Sequence, residues 1–125
     1  MSNEDAQTFS QLTTEALIDV PALDELTLGD IEFQQEILQT YVEDMPTCLT
    51  KLTQAFDRGD WEEFASHAHQ IKGASRTACV KLIPEIAEQL EDRGGDLDDG
   101  EVRESIEKLE KLVDRVRDFS QDWKT

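Results

Sequence analysis

This sequence predicts an all-α fold: an antiparallel up-down four-helix bundle with one or two extra N-terminal helices capping one end. Three observations carry the prediction. Apolar residues recur at spacings of three and four along most of the chain, the period of an amphipathic helix. No stretch alternates polar and apolar residues for long enough to suggest a sheet. The breaks between periodic stretches are short, which favours antiparallel neighbours. The 125 residues suit one domain with a single core. That domain is assigned to 18–122, after a flexible N-terminal tail at 1–17 that ends in at most a helical turn.

The elements follow in order. Ile18 to Leu26 reads as a short helix with Pro21 near its start, where proline is tolerated. Asp30 is placed to cap a helix whose apolar face is Ile31, Phe33, Ile37, Leu38, Tyr41, Val42 and Met45. Pro46 is expected to kink or restart it. The pattern resumes with Cys48, Leu49, Leu52, Ala55 and Phe56 and stops at Gly59, a helix C-terminal residue. Asp60 and Glu63 resemble a capping box. The helix they open buries Trp61, Phe64, Ala65, Ala68, Ile71, Ser75 and Ala78, and a turn is expected near 76–80. Leu82, Ile83, Ile86, Ala87 and Leu90 form the next stripe, with Pro84 in its first turn and Gly94-Gly95 at its end. Asp98 or Asp99 caps the last helix, whose stripe runs from Val102 through Ile106, Leu109, Leu112, Val113, Val116 and Phe119 to Trp123. Glu104–Lys108 and Glu107–Lys111 are i,i+4 pairs on its wet side. The acidic segment DRGGDLDDG is the one evident flexible joint.

Composition excludes several functions. The net charge is −17, with a pI near 4.2 and a mean hydropathy of −0.56. Such a surface repels nucleic acid and anionic lipid, and much of the acidity is accounted for by solubility. There is no apolar run long enough to span a membrane and no signal-peptide pattern, which argues for the cytoplasm. Cys48 and Cys79 read as buried thiols in a reducing compartment rather than a disulfide. No Cys/His spacing fits a zinc site, and no glycine-rich loop could cradle a nucleotide, so the chain is not a kinase by itself.

Both histidines lie in HAHQIKGASR, from His67 to Arg76. His69 is one residue, about 100° of helix rotation, from the core position Ala68, so it sits at the border of the stripe or outside it. Lys72 and Gly73, at i+3 and i+4, lie directly beside it. A glycine inside a helix costs about 1 kcal/mol relative to alanine, and here it lets something large approach the imidazole. An exposed imidazole, a cation one turn away and a missing side chain suggest a nucleophile that receives an anion such as phosphoryl. The alternative is a surface histidine beside a tolerated glycine. His67 lies some 200° further round, which argues against a metal pair and for a structural or solvated role.

The stretch AHQIKGAS, Ala68 to Ser75, resembles the signature of histidine-containing phosphotransfer (HPt) domains, and the likeness in element order extends from about Ile18 to Phe119. One departure is Cys79, ten residues after His69, where the family usually has a glycine at the turn into the next helix. The resemblance implies that His69 accepts the phosphoryl group, Lys72 stabilises it, Gly73 gives clearance to the partner, and Ser75 orients or packs the site. It implies a phosphoryl carrier in a multistep two-component phosphorelay, shuttling between aspartates of receiver domains of response regulators or hybrid histidine kinases. No cofactor is implied in this chain; Mg²⁺ is expected in the partner receiver. A free-standing monomer that binds neither nucleic acid nor membrane is expected. Three alternatives stand beside this reading: an HPt-shaped module that regulates a receiver or kinase without carrying phosphate, a purely structural bundle, and a carrier loaded directly by a kinase domain.

Overall fold

The computed structural model describes residues 11–124. Among these described residues six α-helices follow in order: α1 (Thr14–Leu17), α2 (Val20–Thr27), α3 (Ile31–Arg58), α4 (Trp61–Thr77), α5 (Ile83–Arg93) and α6 (Asp99–Gln121), with a 3₁₀ turn at Gly94–Asp96. Helices α3 to α6 form the four-helix bundle. Helix α4 packs between α3 and α5, and α6 closes the ring against α3 and α5.

Residues 1–10 of the expected tail lie outside the described residues, and the tail ends before residue 17. Thr13 caps α1 by accepting a hydrogen bond from the Ala16 N–H. Leu17 and Ile18 are fully buried. The Leu17 carbonyl accepts from the Lys81 N–H at 2.7 Å, and Ile18 bridges Val80 in antiparallel fashion. Two apolar side chains with backbone bonds on either side cannot be loose. Helix α2 starts two residues beyond Ile18, at Val20, after a cap made by Asp19, with Pro21 in its first turn.

Helix α3 corrects the expected break at Pro46. It runs unbroken for 28 residues, about 42 Å at a rise of about 1.5 Å per residue. An internal proline removes one hydrogen bond and crowds the preceding turn, at about 3 kcal/mol. Leu38, Tyr41, Val42 and Met45 before it, and Leu49, Leu52, Ala55 and Phe56 after it, bury one continuous face. Each such side chain contributes about 1.5–3 kcal/mol, so packing outweighs the proline. Asp30 caps this helix and Gly59, at φ 70°, ends it. Ile31 and Phe33, expected in the core, are 43% and 45% exposed, because α2 packs on the Gln34 and Leu38 side of the helix.

Gln34 is fully buried and its side-chain hydrogen bonds are met by three residues from two elements. Its amide donates to Asp24 Oδ1 at 2.6 Å and to Thr27 Oγ1 at 3.0 Å, and its Oε1 accepts from the Trp123 indole at 2.9 Å. The network ties α2 and the C-terminal turn to α3. A buried amide left half-satisfied would be costly, so this corner is specified as one unit.

Asp60 caps α4, but the reciprocal half of the expected capping box is replaced: Glu63 pairs with His67 at 3.2 Å. The turn after α4 keeps the geometry of a glycine without the glycine. Cys79 has φ 60°, its N–H donates to the Arg76 carbonyl, and the Val80 N–H donates to the Ser75 carbonyl. That pair of bonds is the Schellman closure, with Cys79 in the left-handed position that normally takes glycine. Left-handed backbone costs a side-chain-bearing residue about 1–2 kcal/mol. Cys79→Gly should therefore raise stability by about 0.5–1 kcal/mol, net of the lost packing and of glycine's greater unfolded freedom. An increased urea midpoint with unchanged slope checks it.

Leu82 was also expected in the core; it is 40% exposed with φ 73°. It forms the tip of a three-residue turn closed by the Ile83 N–H on the Lys81 carbonyl at 2.8 Å, which points its side chain outward. The acidic segment after α5 is no flexible joint. Gly94 is buried in the 3₁₀ turn, and Asp98 and Glu101 form a complete capping box on α6. Among the described residues, no helix is long and apolar enough to cross a membrane.

Candidate functional site

Helix α4 presents His69 because its neighbours anchor it. Ala68 and Ile71 are fully buried, which turns position 69 outward, and the His69 side chain is 66% exposed. Lys72 follows one turn on, its side chain only 13% exposed. Both reach the same group on α5. The Glu91 carboxylate lies 2.9 Å from His69 Nδ1 through one oxygen and 2.7 Å from Lys72 Nζ through the other.

Glu91 was not singled out from the sequence. It lies 22 residues from His69, and no motif joins them. One signal was available: Glu91 directly follows the buried Leu90, as His69 directly follows the buried Ala68. Both are rim positions on adjacent helices. The contact with Lys72 holds the Glu91 carboxyl below the ordinary carboxylate range, and the His69 contact lowers it further against the opposing effect of burial. An ionised carboxylate only accepts hydrogen bonds. The ring nitrogen facing it therefore carries a proton, and in the neutral imidazole the lone pair is then on Nε2.

The other expected site residues fall in different surroundings. Gly73 is exposed beside His69, and a Cβ built there meets nothing within 4 Å. The fold does not require this glycine, so its effect is on what approaches from outside. Ser75 belongs to the core: it is fully buried, with Oγ 2.7 Å from the Tyr41 hydroxyl of α3. Its place is packing α4 against α3, away from the imidazole. Burial pushes the Tyr41 phenol far above its ordinary range, so this pair stays a neutral hydrogen bond. His67 lies on another face, between Glu63 at 3.2 Å and Gln70 at 3.4 Å.

A shallow apolar groove runs between α3 and α4, lined by Phe33, Ile37, Tyr41, Met45, Ala74 and Thr77. Thr77 is one turn beyond Gly73 on the exposed side of α4, so the groove continues the surface that holds His69. Among the described residues, no group of three or more His, Cys, Asp or Glu is placed to hold a metal ion. Cys48 and Cys79 are unpaired and half-buried, and burial pushes both thiols up, the opposite of a reactive thiolate.

A family model described as the Hpt domain matches residues 36–119 of 125, a span that holds His69, Lys72, Gly73 and Glu91. This chain belongs to the HPt domain family. The fold of this HPt domain is similar to that of the histidine-containing phosphotransfer domain of ArcB from Escherichia coli. That likeness has a TM-score of 0.69 at 22% identity, over 87% of this chain and 97% of that one. In sequence it is similar to the sensor protein EvgS of Escherichia coli strain K12, 32% identical over 74 residues. The match covers 59% of this chain and spans only 6% of the EvgS length.

Proposed function

We propose that this HPt domain carries a phosphoryl group between aspartates of receiver domains in a multistep phosphorelay, with His69 as the carrier. The observation that carries the reading is the exposed His69 ring, its Nδ1 on one oxygen of the Glu91 carboxylate and the Lys72 ammonium on the other. The Nε2 lone pair attacks phosphorus in line with the aspartyl oxygen of the donor. The N–P bond forms as the P–O bond breaks, and the electron pair leaves with the donor carboxylate. The return step delivers phosphorus to a second aspartate. Such a loose transition state needs positioning and charge stabilisation more than covalent help. Lys72 supplies positive charge from this chain, and the receiver supplies Mg²⁺ and its acidic pocket. No cofactor is needed in the carrier.

The receiver docks along the apolar groove between α3 and α4, with its aspartate over His69 through the opening at Gly73. The net charge of −17 favours a receiver face with a basic rim, by complementarity. The carrier acts as a monomer in the cytoplasm. Gly73→Ala separates partner clearance from folding. It should stabilise the helix by about 0.5–1 kcal/mol and slow transfer from a phosphorylated receiver roughly tenfold, as misplaced reactants do. Urea denaturation and timed label transfer read the two effects independently.

The direct test is incubation with ³²P-labelled receiver domains. The carrier should acquire label that is acid-labile and alkali-stable, the behaviour of phosphohistidine. Binding to a receiver with no label gained from any of them would replace the carrier with a regulatory docking module.

A further inference from the structure

Arg76 stands on the acceptor line of α4 and holds nothing in the fold together through its side chain. It follows His69 by seven residues, two helical turns, about 10 Å along the axis and about 20° from the same line. Lys72 and Gly73 lie between them. Arg76 is exposed, and among the described residues no ion pair, side-chain hydrogen bond or ring contact engages it. The chain has 29 acidic residues against 12 basic ones, yet none of the described acids rests on this guanidinium. Lys72 differs. Its ammonium lies 2.7 Å from Glu91, so its charge is already matched within the chain. Arg76 is the uncompensated cation of this line.

The simplest account is the helix's own dipole. Arg76 lies in the last turn of α4, where any cation is favoured. That account asks only for positive charge, which lysine supplies equally well. The direction of the side chain asks for more. Helical side chains lean toward the helix N-terminus and cover the turn before their own Cα. For Arg76 that turn contains Gly73, where a built Cβ meets nothing within 4 Å. The open ground above Gly73 therefore has the acceptor imidazole at one end and a guanidinium within reach of the other. An acidic receiver pocket that settles there meets a chain of net charge −17. Like charges across an interface are costly, and a local cation offsets them. A guanidinium does so with direction, because its planar fork takes a carboxylate through two parallel bonds.

We propose that Arg76 is a receiver-selecting residue: it takes a carboxylate on the rim of the receiver's aspartate pocket, two turns along α4 from His69, and so favours receivers that carry one there. The phosphoryl group itself is left to Lys72. The proposal deepens the carrier reading and rests on it for the identity of the partner, but the contact is also read by binding, with no transfer required.

Three variants of the full chain separate the accounts. Arg76→Lys keeps the charge and loses the fork, Arg76→Ala removes the charge, and Arg76→Glu reverses it. A panel of purified receiver domains is measured for binding by calorimetry and for timed transfer of ³²P label. With a receiver that engages wild type, transfer at limiting concentration should fall roughly fivefold for Arg76→Ala and roughly thirtyfold for Arg76→Glu. Arg76→Lys should melt as wild type does, yet transfer roughly twofold more slowly. Salt raised from about 0.05 to about 0.5 M should slow wild type more than Arg76→Ala. Loading of His69 from the small donor phosphoramidate, with no receiver present, should proceed at one rate in all four proteins. Changing one exposed carboxylate of that receiver to lysine should restore transfer to Arg76→Glu and identify the contacting acid. Arg76→Glu that binds and transfers as wild type does overturns the proposal. An equal loss with phosphoramidate also overturns it, because the guanidinium then serves the phosphoryl group or the helix. A receiver whose affinity depends on Arg76 but which transfers no label upholds the contact and counts against the carrier reading alone. A panel in which no receiver binds overturns both.

Discussion

His69→Gln is expected to fold as wild type does and to carry no phosphoryl group. The His69 side chain is 66% exposed, and substitutions at such positions change stability by no more than about 0.5 kcal/mol. The chemistry has no substitute on this surface. Glutamine offers an amide nitrogen whose lone pair is delocalised and cannot attack phosphorus. His67 lies on another face of α4, engaged by Glu63 and Gln70. Label uptake from a phosphorylated receiver should therefore fall to background, while receiver binding and the melting temperature stay near wild type. Residual uptake at His67 would show that the local face of the helix does not select the acceptor.

Gly94→Ala is expected to be the most destabilising methyl group that can be added to this chain at a glycine, while the same change next door at Gly95 is nearly silent. A Cβ at Gly94 would sit 2.5 Å from Phe64 Cε1 and 3.1 Å from Cδ1. Phe64 is 1% exposed and its ring is fixed by Trp61 at 5.2 Å and Phe56 at 6.3 Å between centroids. The ring has nowhere to move. Overpacking of this kind costs about 2–3 kcal/mol, a fall in Tm of roughly 6–12 °C for a domain of this size. At Gly95 the nearest atom would be Trp61 Cδ2 at 3.7 Å, an ordinary contact. Gly95→Ala should be neutral, or stabilising by up to about 1 kcal/mol through reduced freedom of the unfolded chain. Denaturant unfolding of the two variants side by side checks the contrast, and equal losses at both positions would refute the packing account.

The pair also shows why sequence reading marks a glycine without explaining it. Gly94-Gly95 was read as a helix stop. Gly94 in fact has an ordinary right-handed backbone, and its constraint comes from the aromatic ring of Phe64, far earlier in the chain. Gly59, whose constraint is its own positive φ, was legible as a helix end because that rule is local. Cys79 is the converse case. The family resemblance marked the missing glycine, but only the structure shows that the chain keeps the left-handed turn without it.

Local chemistry determined most of the architecture. Spacings of three and four placed the bundle helices, the expected break at Pro46 aside, and Asp19, Asp30, Asp60 and Asp98 are all N-caps, Asp30 and Asp60 expected as such and Asp98 as one of two candidates with Asp99. The same periodicity put His69 on the rim, with Lys72 and Gly73 beside it, because neighbours three and four apart share a helix face whatever the helix packs against. What only the tertiary structure decided involves residues far apart in sequence. Pro46 lies inside a helix because core residues on both sides of it bury one face. Ser75 faces Tyr41 in the core, and Gln34 gathers Asp24, Thr27 and Trp123. Glu91 reaches His69 and Lys72 because α4 and α5 pack side by side with their rims in register. Periodicity states which face of a helix is buried; it carries no information on which side chain of another helix stands opposite, and that is where the carboxylate of this site was found.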